Sequence, residues 1–274
     1  MTDAEALRST EPERWEHQRR TFEHTAESYD RYRPRYPSEL FRDMRTYASL
    51  RPGERVLEIG CGPGIATAPV AAWGHPMTCL EPAGEMVAVA RRKLPAKAEF
   101  ITTTFEDWEV EAGGFGLVYV AQAFHWLDRA TRTERIRSAL RPGGTAAVLW
   151  NEQVNPDAHS AFFVRVLDVY RRHAPALVHQ GEFRTEPRAG HALGEAHGFV
   201  DHERKLYPWE WTLKTGEYVA LMATHSPHAA LPEDARSHLL DGIAQLIDAE
   251  FGGRVSESYF AVCDLARRGE ERPA

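Results

Sequence analysis

The middle of the chain alternates short, largely apolar runs with longer segments of mixed polarity. The runs at residues 56–59, 77–80 and 115–121 are bounded by glycine, proline or polar residues. Runs of this length are typical of strands that are buried on both faces. Strands that alternate with helices along a chain form a parallel sheet with helices on both of its faces. The pattern therefore predicts an α/β core that extends through Trp150.

The two flanks of this core have different patterns. Residues 1–18 are densely charged, whereas Phe22, Ala26 and Tyr29 lie at helical spacing in the segment that follows. Beyond residue 151 the alternation stops. The elements predicted there are helices at 158–172, 192–197, 215–223 and 234–251, a loop at 173–190, and strands at 199–207 and 259–263.

A glycine-rich loop follows the first predicted strand. Gly60, Gly62 and Gly64 occupy alternate positions, and a helix is predicted directly after them at residues 65–72. Glycine has no β-carbon and tolerates positive φ, so such a loop can turn sharply and let a ligand approach the backbone. The N-terminus of the helix adds a partial positive charge. The same glycines would also serve a tight turn from strand to helix.

A carboxylate at the end of the second predicted strand favours a nucleoside ligand. Glu81 comes 21 positions after Gly60, and an acidic residue at this point can accept hydrogen bonds from both ribose hydroxyls. A nicotinamide-dependent oxidoreductase is a competing hypothesis. Its fingerprint, however, requires a glycine where this chain has Ile65.

The pattern Glu58-x-Gly60-x-Gly62-x-Gly64, followed by Glu81, resembles the class I methyltransferases that bind S-adenosylmethionine. The segments at residues 81–86, 105–108, 115–128 and 140–145 resemble later parts of the same family, in the same order. The resemblance implies a Rossmann-like, mostly parallel seven-stranded sheet with helices on both faces. It also implies S-adenosylmethionine as cofactor and S-adenosylhomocysteine as product.

The resemblance implies a set of cofactor-binding residues in this core. The acidic ones would hold the ribose and the adenine edge, and an apolar side chain would lie against adenine. The family often has aspartate where this chain has Thr104. We therefore expect the backbone, Glu106 or Asp107 to bind the adenine amino group. The full set is Glu58, Gly60, Gly62, Gly64, Glu81, Pro82, Met86, Thr104, Phe105, Glu106, Ala121 and Gln122.

Residues 22–37 resemble an N-terminal lid found in one subgroup of this family, which implies an added helical lid. Arg33 is the candidate for the carboxylate at the methionine end of the cofactor, because a guanidinium can bind a carboxylate through two hydrogen bonds. A solvated arginine is the alternative. The predicted organisation is then a leader and lid helix at 1–37, a cofactor-binding core at 38–151, and a helical cap with the last strands at 152–274.

His125 is the candidate catalytic residue. It follows the fourth predicted strand, and the carboxyl ends of parallel strands face the ligand crevice. The unperturbed pKa of histidine suits proton transfer near neutrality. His125 and Trp126 also resemble a pair that recurs in a subgroup with different acceptors, and this favours a positioning role over a base.

Aromatic and imidazole side chains are the candidates for binding the methyl acceptor. Such residues are often part of a core, but as a group they can form an apolar pocket with hydrogen-bonding groups. The candidates are Tyr29, Tyr36, Trp126, Trp211, Tyr218, His225 and His228. No third ligand is spaced to complete a metal site with the two histidines, so no metal is predicted.

Composition narrows the choice of function. The 33 basic and 40 acidic residues give a net charge of −7 without a long basic tract, which disfavours nucleic acid as a partner. No apolar run has the length of a membrane span. The three cysteines lack the spacing of metal ligands, which fits reduced thiols in the cytoplasm. We expect a monomer or homodimer that O-methylates a carboxylate or hydroxyl of a metabolite or natural-product intermediate. C- or N-methylation, or S-adenosylmethionine binding without catalysis, are the alternatives.

Overall fold

The structure is a computed structural model, and it describes residues 26–94, 98–155, 160–178, 184–188, 192–193 and 198–270. The chain forms two compact units. Unit 1 contains the described residues within Met1–Pro34, Glu152–Arg188 and Pro208–Phe260. Unit 2 contains those within Arg35–Asn151, Ala189–Tyr207 and Ala261–Ala274.

Seven strands form one sheet. They are β1 (Val56–Ile59), β2 (Met77–Leu80), β3 (Ala98–Ile101), β4 (Phe115–Ala121), β5 (Leu140–Val154), β6 (Phe199–Lys214) and β7 (Arg254–Arg268). Their order in the sheet is β3-β2-β1-β4-β5-β7-β6. The pairs that run parallel are β1 with β2, β2 with β3, β1 with β4, and β4 with β5.

The order reverses between β1 and β4, which lie side by side although β2 and β3 separate them in the sequence. Ligands of open α/β sheets bind at the carboxyl ends of the strands beside such a reversal. The loops that follow β1, β2 and β4 are therefore the part of unit 2 where a ligand is expected.

Ten α-helices are described, together with a 3-10 helix at Phe124–Trp126. They are α1 (Ala26–Tyr32), α2 (Ser38–Ala48), α3 (Thr67–Ala71), α4 (Gly84–Lys93), α5 (Arg132–Ala139), α6 (Ala161–His173), α7 (Pro175–Val178), α8 (Thr215–Ala223), α9 (Ser226–Ala229) and α10 (Glu233–Glu250). None of the described helices combines the length and the apolar character that crossing a membrane requires.

Unit 2 has a core of side chains from the central strands. Leu57, Val118 and Val148 are almost fully buried, and Ile136 of α5 packs into the same cluster. Each such side chain contributes about 1.5–3 kcal/mol to folding when it leaves water. The core thus holds the strand ends, and the loops that extend from them, in a defined arrangement.

Unit 1 has its own core, which is formed largely by three helices. Val166 of α6, Leu221 of α8, and Leu239 and Ile243 of α10 are buried in one cluster. Helix α6 begins after Ser160, whose hydroxyl accepts a hydrogen bond from the backbone N–H of Phe163 at 3.4 Å. This cap satisfies one of the free N–H groups at the helix start.

The predicted seven-stranded, mostly parallel sheet is confirmed. Strand β6 extends to Lys214, whereas the sequence predicted an end at Tyr207, before Pro208. Proline cannot donate a ladder hydrogen bond and is tolerated where a strand lies at the edge of a sheet. Strand β6 is last in the strand order, which explains why Pro208 does not end it.

Other element boundaries also differ from the predictions. Helix α3 is shorter than the predicted 65–72, and the segment predicted as a loop at 173–190 contains α7. Ala192 and Leu193, expected to start a helix, form a bend, and the rest of that prediction lies outside the described residues. So do the charged leader and Phe22. The helical lid stays a prediction.

Candidate functional site

The glycine loop after β1 adopts the conformation for which glycine is suited. The φ angles of Gly60, Gly62 and Gly64 are +70°, +53° and +86°. A β-carbon at Gly60 would lie 2.5 Å from Cβ of Ala123, and one at Gly64 would lie 2.7 Å from Cδ1 of Leu94. At Gly62 a β-carbon would meet nothing within 4 Å. Two of the glycines therefore allow close packing, and the third borders open space.

Glu81, directly after β2, connects this loop to the next one. Its Oε2 accepts a hydrogen bond from the backbone N–H of Gly62 at 3.0 Å, and its Oε1 accepts one from that of Ala83 at 2.9 Å. Burial raises the pKa of Glu81, while these two N–H groups act in the opposite direction. Each carboxylate oxygen has a second lone pair, so the residue can still accept hydrogen bonds from a ligand.

Glu58 lies in the middle of β1 and is fully buried. The hydroxyl of Thr67 donates a hydrogen bond to its Oε2 at 2.5 Å. Its Oε1 has no hydrogen-bond partner among the residues that the structure describes. Burial raises the pKa of Glu58 to about 8, against the opposing effect of the Thr67 hydroxyl.

The segment after β3 is held mainly by its own side chains. The hydroxyl of Thr104 donates to Oδ2 of Asp107 at 2.8 Å and accepts from the N–H of Asp107 at 3.0 Å. Phe105 is buried in the core of unit 2, so its side chain is used for packing. Glu106 accepts from the N–H of Asp128 through Oε1 at 2.9 Å, and its buried Oε2 has no partner in the described chain. Of these residues, Glu106 has the carboxyl oxygen that a ligand could use.

The remaining predicted cofactor residues of unit 2 lie at the ends of strands or at the start of α4. Met86 is buried, whereas Pro82 and Ala121 are half-buried. Gln122 has a φ of +58°, and its side-chain amide donates to the carbonyl of Asn151 at 3.0 Å. This bond directs the amide N–H of Gln122 toward β5 and leaves its oxygen for other contacts.

His125 lies in the 3-10 helix after β4 and is exposed. The centroid of its ring is 4.6 Å from that of Trp126 and 5.6 Å from that of Trp150. Two indole rings thus neighbour the imidazole. Tyr36, which is predicted to contact the acceptor, also lies in this unit. Its ring packs edge-on against that of Phe41, with the two centroids 5.8 Å apart.

Unit 1 contains a cavity of about 270 Å³. Its walls are aromatic and aliphatic side chains from α6, α7 and α8, and its polar groups come from five different segments of the chain. The apolar walls include Phe162, Phe163, Val166, Leu167, Leu177, Val178 and Met222, and the polar groups are those of Gln153, Tyr170, Tyr218, His225, His228 and Glu257.

Tyr170 and His228 form one polar group of this cavity. The Tyr170 hydroxyl lies 2.6 Å from Nε2 of His228, and Nδ1 of the same ring has no partner among the described residues. Burial, and secondarily the charge of Arg33, lowers the pKa of His228 to about 4. The pKa of His225 is lowered well below its usual value by burial, by Arg33 and by His228. Both imidazoles are therefore neutral at neutral pH.

Glu257 forms the second polar group. Its carboxyl group accepts hydrogen bonds from the side-chain amide of Gln153 and from the hydroxyl of Tyr218. Burial raises the pKa of Glu257 despite these bonds. A largely buried carboxyl group thus lies among aromatic walls.

Arg33 is also part of unit 1. Its Nη2 donates to the carbonyl of Thr224 at 2.8 Å, and its guanidinium carbon lies 4.7 Å from the centroid of the Tyr29 ring. Its Nε is buried without a partner in the described part of the chain. Trp211, in contrast, does not line the cavity but packs against the core of unit 1 and stacks on Trp209 at 6.3 Å.

Comparison with known proteins identifies the class of enzyme. Residues 56–144, which include the glycine loop and Glu81, match the model of a methyltransferase domain. An uncharacterized methyltransferase of Mycobacterium tuberculosis is 28% identical over 220 residues, which cover 80% of this chain and 82% of the relative. A trans-aconitate 2-methyltransferase of Rhizobium meliloti is 31% identical over 121 residues, 43% of this chain and 46% of the relative. The protein is a class I S-adenosylmethionine-dependent methyltransferase.

Solved structures agree with the fold of this methyltransferase. A protein of Anaeromyxobacter dehalogenans, named as a candidate type II methyltransferase, has a TM-score of 0.60 at 21% identity and covers 88% of this chain and 100% of its own. Phosphoethanolamine N-methyltransferase 2 of Haemonchus contortus, in complex with S-adenosyl-L-methionine, has a TM-score of 0.51 at 15% identity. The match covers 90% of this chain and 57% of that protein's chain.

The cofactor of this methyltransferase is S-adenosylmethionine, and the residues of unit 2 fit such a ligand. Open space borders Gly62, where any β-carbon would enter it. Glu106 has a buried carboxyl oxygen without a partner in the described chain, and Glu81 can accept further hydrogen bonds. These acceptors suit the hydroxyl and amino groups of a nucleoside, which are hydrogen-bond donors.

The structure brings together some of the predicted site residues of the methyltransferase and separates others by unit. In unit 2, Gly62 is hydrogen-bonded to Glu81. In unit 1, Tyr218, His225 and His228 line one cavity. No motif or spacing marks Tyr170, Gln153 and Glu257, so none of them was predicted from the sequence. The apolar face of α6, on which Tyr170 lies, was the available signal, but it equally predicts a core residue.

Proposed function

We propose that this methyltransferase O-methylates a hydroxyl or carboxylate of a small molecule held in the cavity of unit 1. The supporting observation is the cavity itself: about 270 Å³, with mostly apolar walls and two polar groups. Small-molecule sites typically combine apolar walls with a few oriented polar side chains, and their volumes begin at about 300 Å³. The relatives named trans-aconitate 2-methyltransferase make a carboxylate acceptor one candidate.

In this proposal the residues of unit 2 hold the cofactor. The carboxylate of Glu81 accepts hydrogen bonds from the ribose hydroxyls, and Glu106 accepts one from the adenine amino group. The backbone at Gly62 borders the ligand, and Met86 supplies apolar contact to the base. Arg33, which belongs to unit 1, stays the candidate that the sequence predicts for the carboxylate at the methionine end. Bound S-adenosylmethionine supplies an electrophilic methyl group and a neutral sulfide leaving group.

The protein's task is then to orient the acceptor and to exclude water. Apolar walls around the cavity exclude water, and its polar groups orient the acceptor oxygen. A carboxylate acceptor carries no proton, whereas a hydroxyl must lose one. We assign His125 a positioning role, because its ring lies against Trp126 and Trp150.

Methyl-labelled S-adenosylmethionine tests the proposal directly. The protein is incubated with it and a metabolite extract, and labelled products are identified by mass. Mild alkali releases the label from a methyl ester but not from a methyl ether, which separates carboxylate from hydroxyl acceptors. We expect the label in an ester or ether of a small molecule. Label on carbon, on nitrogen or on macromolecules, or no label transfer, would refute O-methylation of a small molecule.

Two variants control this assay. Glu81→Ala removes the proposed ribose acceptor and should abolish most of the transfer. Glu85→Ala makes the same change at an exposed position in the first turn of α4 and should leave transfer unchanged. Equal transfer by both variants would contradict the role assigned to Glu81.

A further inference from the structure

We infer that the cavity of unit 1 selects an uncharged, largely apolar alcohol or phenol and excludes carboxylate acceptors. The inference rests on the proposed function and narrows its substrate class. Two properties of the cavity support it: its described lining residues include no lysine or arginine, and one buried imidazole nitrogen has no partner in the described chain.

An anionic acceptor would find no cationic side chain to pair with among the described residues that line the cavity. The described residues that line the cavity include no lysine or arginine, and the ionisable carboxyl group among them is that of Glu257. Arg33 does not line the cavity, and its guanidinium bonds the carbonyl of Thr224. Burying a charged group without a partner costs far more than burying a hydrogen-bonded neutral one. A second carboxylate near Glu257 would add repulsion.

An uncharged hydroxyl on the acceptor matches the unsatisfied nitrogen of His228. The Tyr170 hydroxyl is hydrogen-bonded to Nε2 of His228, whereas Nδ1 is buried without a partner in the described chain. A neutral imidazole donates from one nitrogen and accepts at the other. A hydroxyl can do both, so it satisfies Nδ1 in either tautomer. The rest of the acceptor would pack against Phe162, Val166 and Leu177.

A matched pair of ligands on one ring system tests the selection by charge. The probes are 2-naphthol and 2-naphthoate, titrated by calorimetry at neutral pH into full-length protein saturated with S-adenosylhomocysteine. We expect 2-naphthol to bind at least about tenfold more tightly than 2-naphthoate, because the buried carboxylate would lack a cationic partner. Equal or tighter binding of 2-naphthoate, or no binding of 2-naphthol, would overturn the inference.

Variants connect the selection to His228. His228→Phe should weaken 2-naphthol binding about tenfold, since a hydrogen bond to a buried group is lost, and should leave 2-naphthoate weak. His228→Leu also removes Nδ1 and supplies the same test if His228→Phe does not fold. His238→Phe, at an exposed position of α10, is the matched control and should bind as the unaltered protein does. Unchanged 2-naphthol binding in a folded His228→Phe or His228→Leu variant would contradict the assignment.

The two proposals can fail separately. Binding of the probes does not require turnover, and the labelling assay does not use the probes. Transfer of label to small molecules without 2-naphthol binding would overturn the inference and keep the proposed function. Tight 2-naphthol binding without any label transfer would support the selection and refute the proposed function.

Discussion

The two candidate sites of this methyltransferase are built in opposite ways. The cofactor site of unit 2 consists of backbone and carboxylate groups from consecutive loops, and its central bond joins Gly62 to Glu81 across 19 positions. The cavity of unit 1 consists of side chains from distant segments, such as Tyr170 and His228, 58 positions apart, and Gln153 and Glu257, 104 apart. In the proposed function, groups close in sequence would hold the methyl donor, and groups brought together by long-range packing would hold the acceptor.

The sites also differ in electrostatics. Unit 2 offers acceptors, the carboxyl groups of Glu81 and Glu106, to a ligand rich in donors. Unit 1 offers neutral imidazoles and one buried carboxyl group. Changes in unit 2 should therefore affect cofactor affinity and stability, whereas changes in the cavity should affect acceptor affinity.

The largest effect is expected at the glycine that packs most closely. Gly60→Ala should lower the free energy of unfolding by about 3 kcal/mol, because it combines a strained positive φ with a forced close contact. Gly62→Ala keeps the strain without the contact and should cost about 1–2 kcal/mol. Denaturant unfolding measures both.

Gly113→Ala, with a φ of +69° and nothing within 4 Å of the added carbon, is the matched control for strain alone. If Gly60→Ala costs no more than Gly113→Ala, the close approach to Ala123 does not constrain the loop.

Glu81→Ala should weaken S-adenosylhomocysteine binding by about 2–3 kcal/mol, since hydrogen bonds to a charged group are among the stronger ones. Calorimetric titration measures the dissociation constant, with Glu85→Ala as the exposed control. Binding of 2-naphthol in the cavity should change much less than cofactor binding. A larger loss for 2-naphthol than for the cofactor product would break the division of roles between the two sites.

Glu58 makes stability depend on pH. Burial raises its pKa from 4.5 to about 8, so the folded protein keeps a proton that the unfolded chain loses between these values. The contribution of this group to stability is therefore complete below about pH 4.5 and is lost as pH rises to about 8. Glu58→Gln should flatten this dependence and raise the free energy of unfolding at high pH by about 1–2 kcal/mol.

Denaturant unfolding at several pH values between these limits measures the effect. Glu99→Gln, at an exposed position of β3, is the control and should follow the unaltered protein. Parallel pH profiles for Glu58→Gln and the unaltered protein would show that Glu58 does not keep its proton in the folded state.

The smallest effect is expected at His125. If its role is to position neighbouring groups, His125→Asn should lower kcat by less than about tenfold, below the 10²–10⁴-fold contribution of a general acid or base. The pH dependence of kcat should keep its shape, and the dissociation constant of S-adenosylhomocysteine should not change. A loss of several hundredfold with a lost pH limb would make His125 a base and move part of the catalytic chemistry into unit 2.

Much of the fold was predictable, and the errors have physical causes. Strands β1, β2 and β4 carry apolar runs that only a buried strand explains, and their parallel order followed from the alternation. The end of β6 was missed because the effect of Pro208 depends on whether the strand is central or at an edge. That property belongs to the sheet and not to the segment.

Within the sites the same distinction holds. The methyl donor could be inferred from the chain alone, because the glycine loop, the strand ends and the carboxylate after the second strand form a local pattern that resembles the class I methyltransferases. Which polar groups share the cavity of unit 1 is visible only in the folded protein. Tyr170, His228, Gln153 and Glu257 come together through the packing of helices and strands distant in sequence, and no spacing rule links them. Their pKa values and the unsatisfied nitrogen of His228 arise from burial, which exists only once the chain is folded.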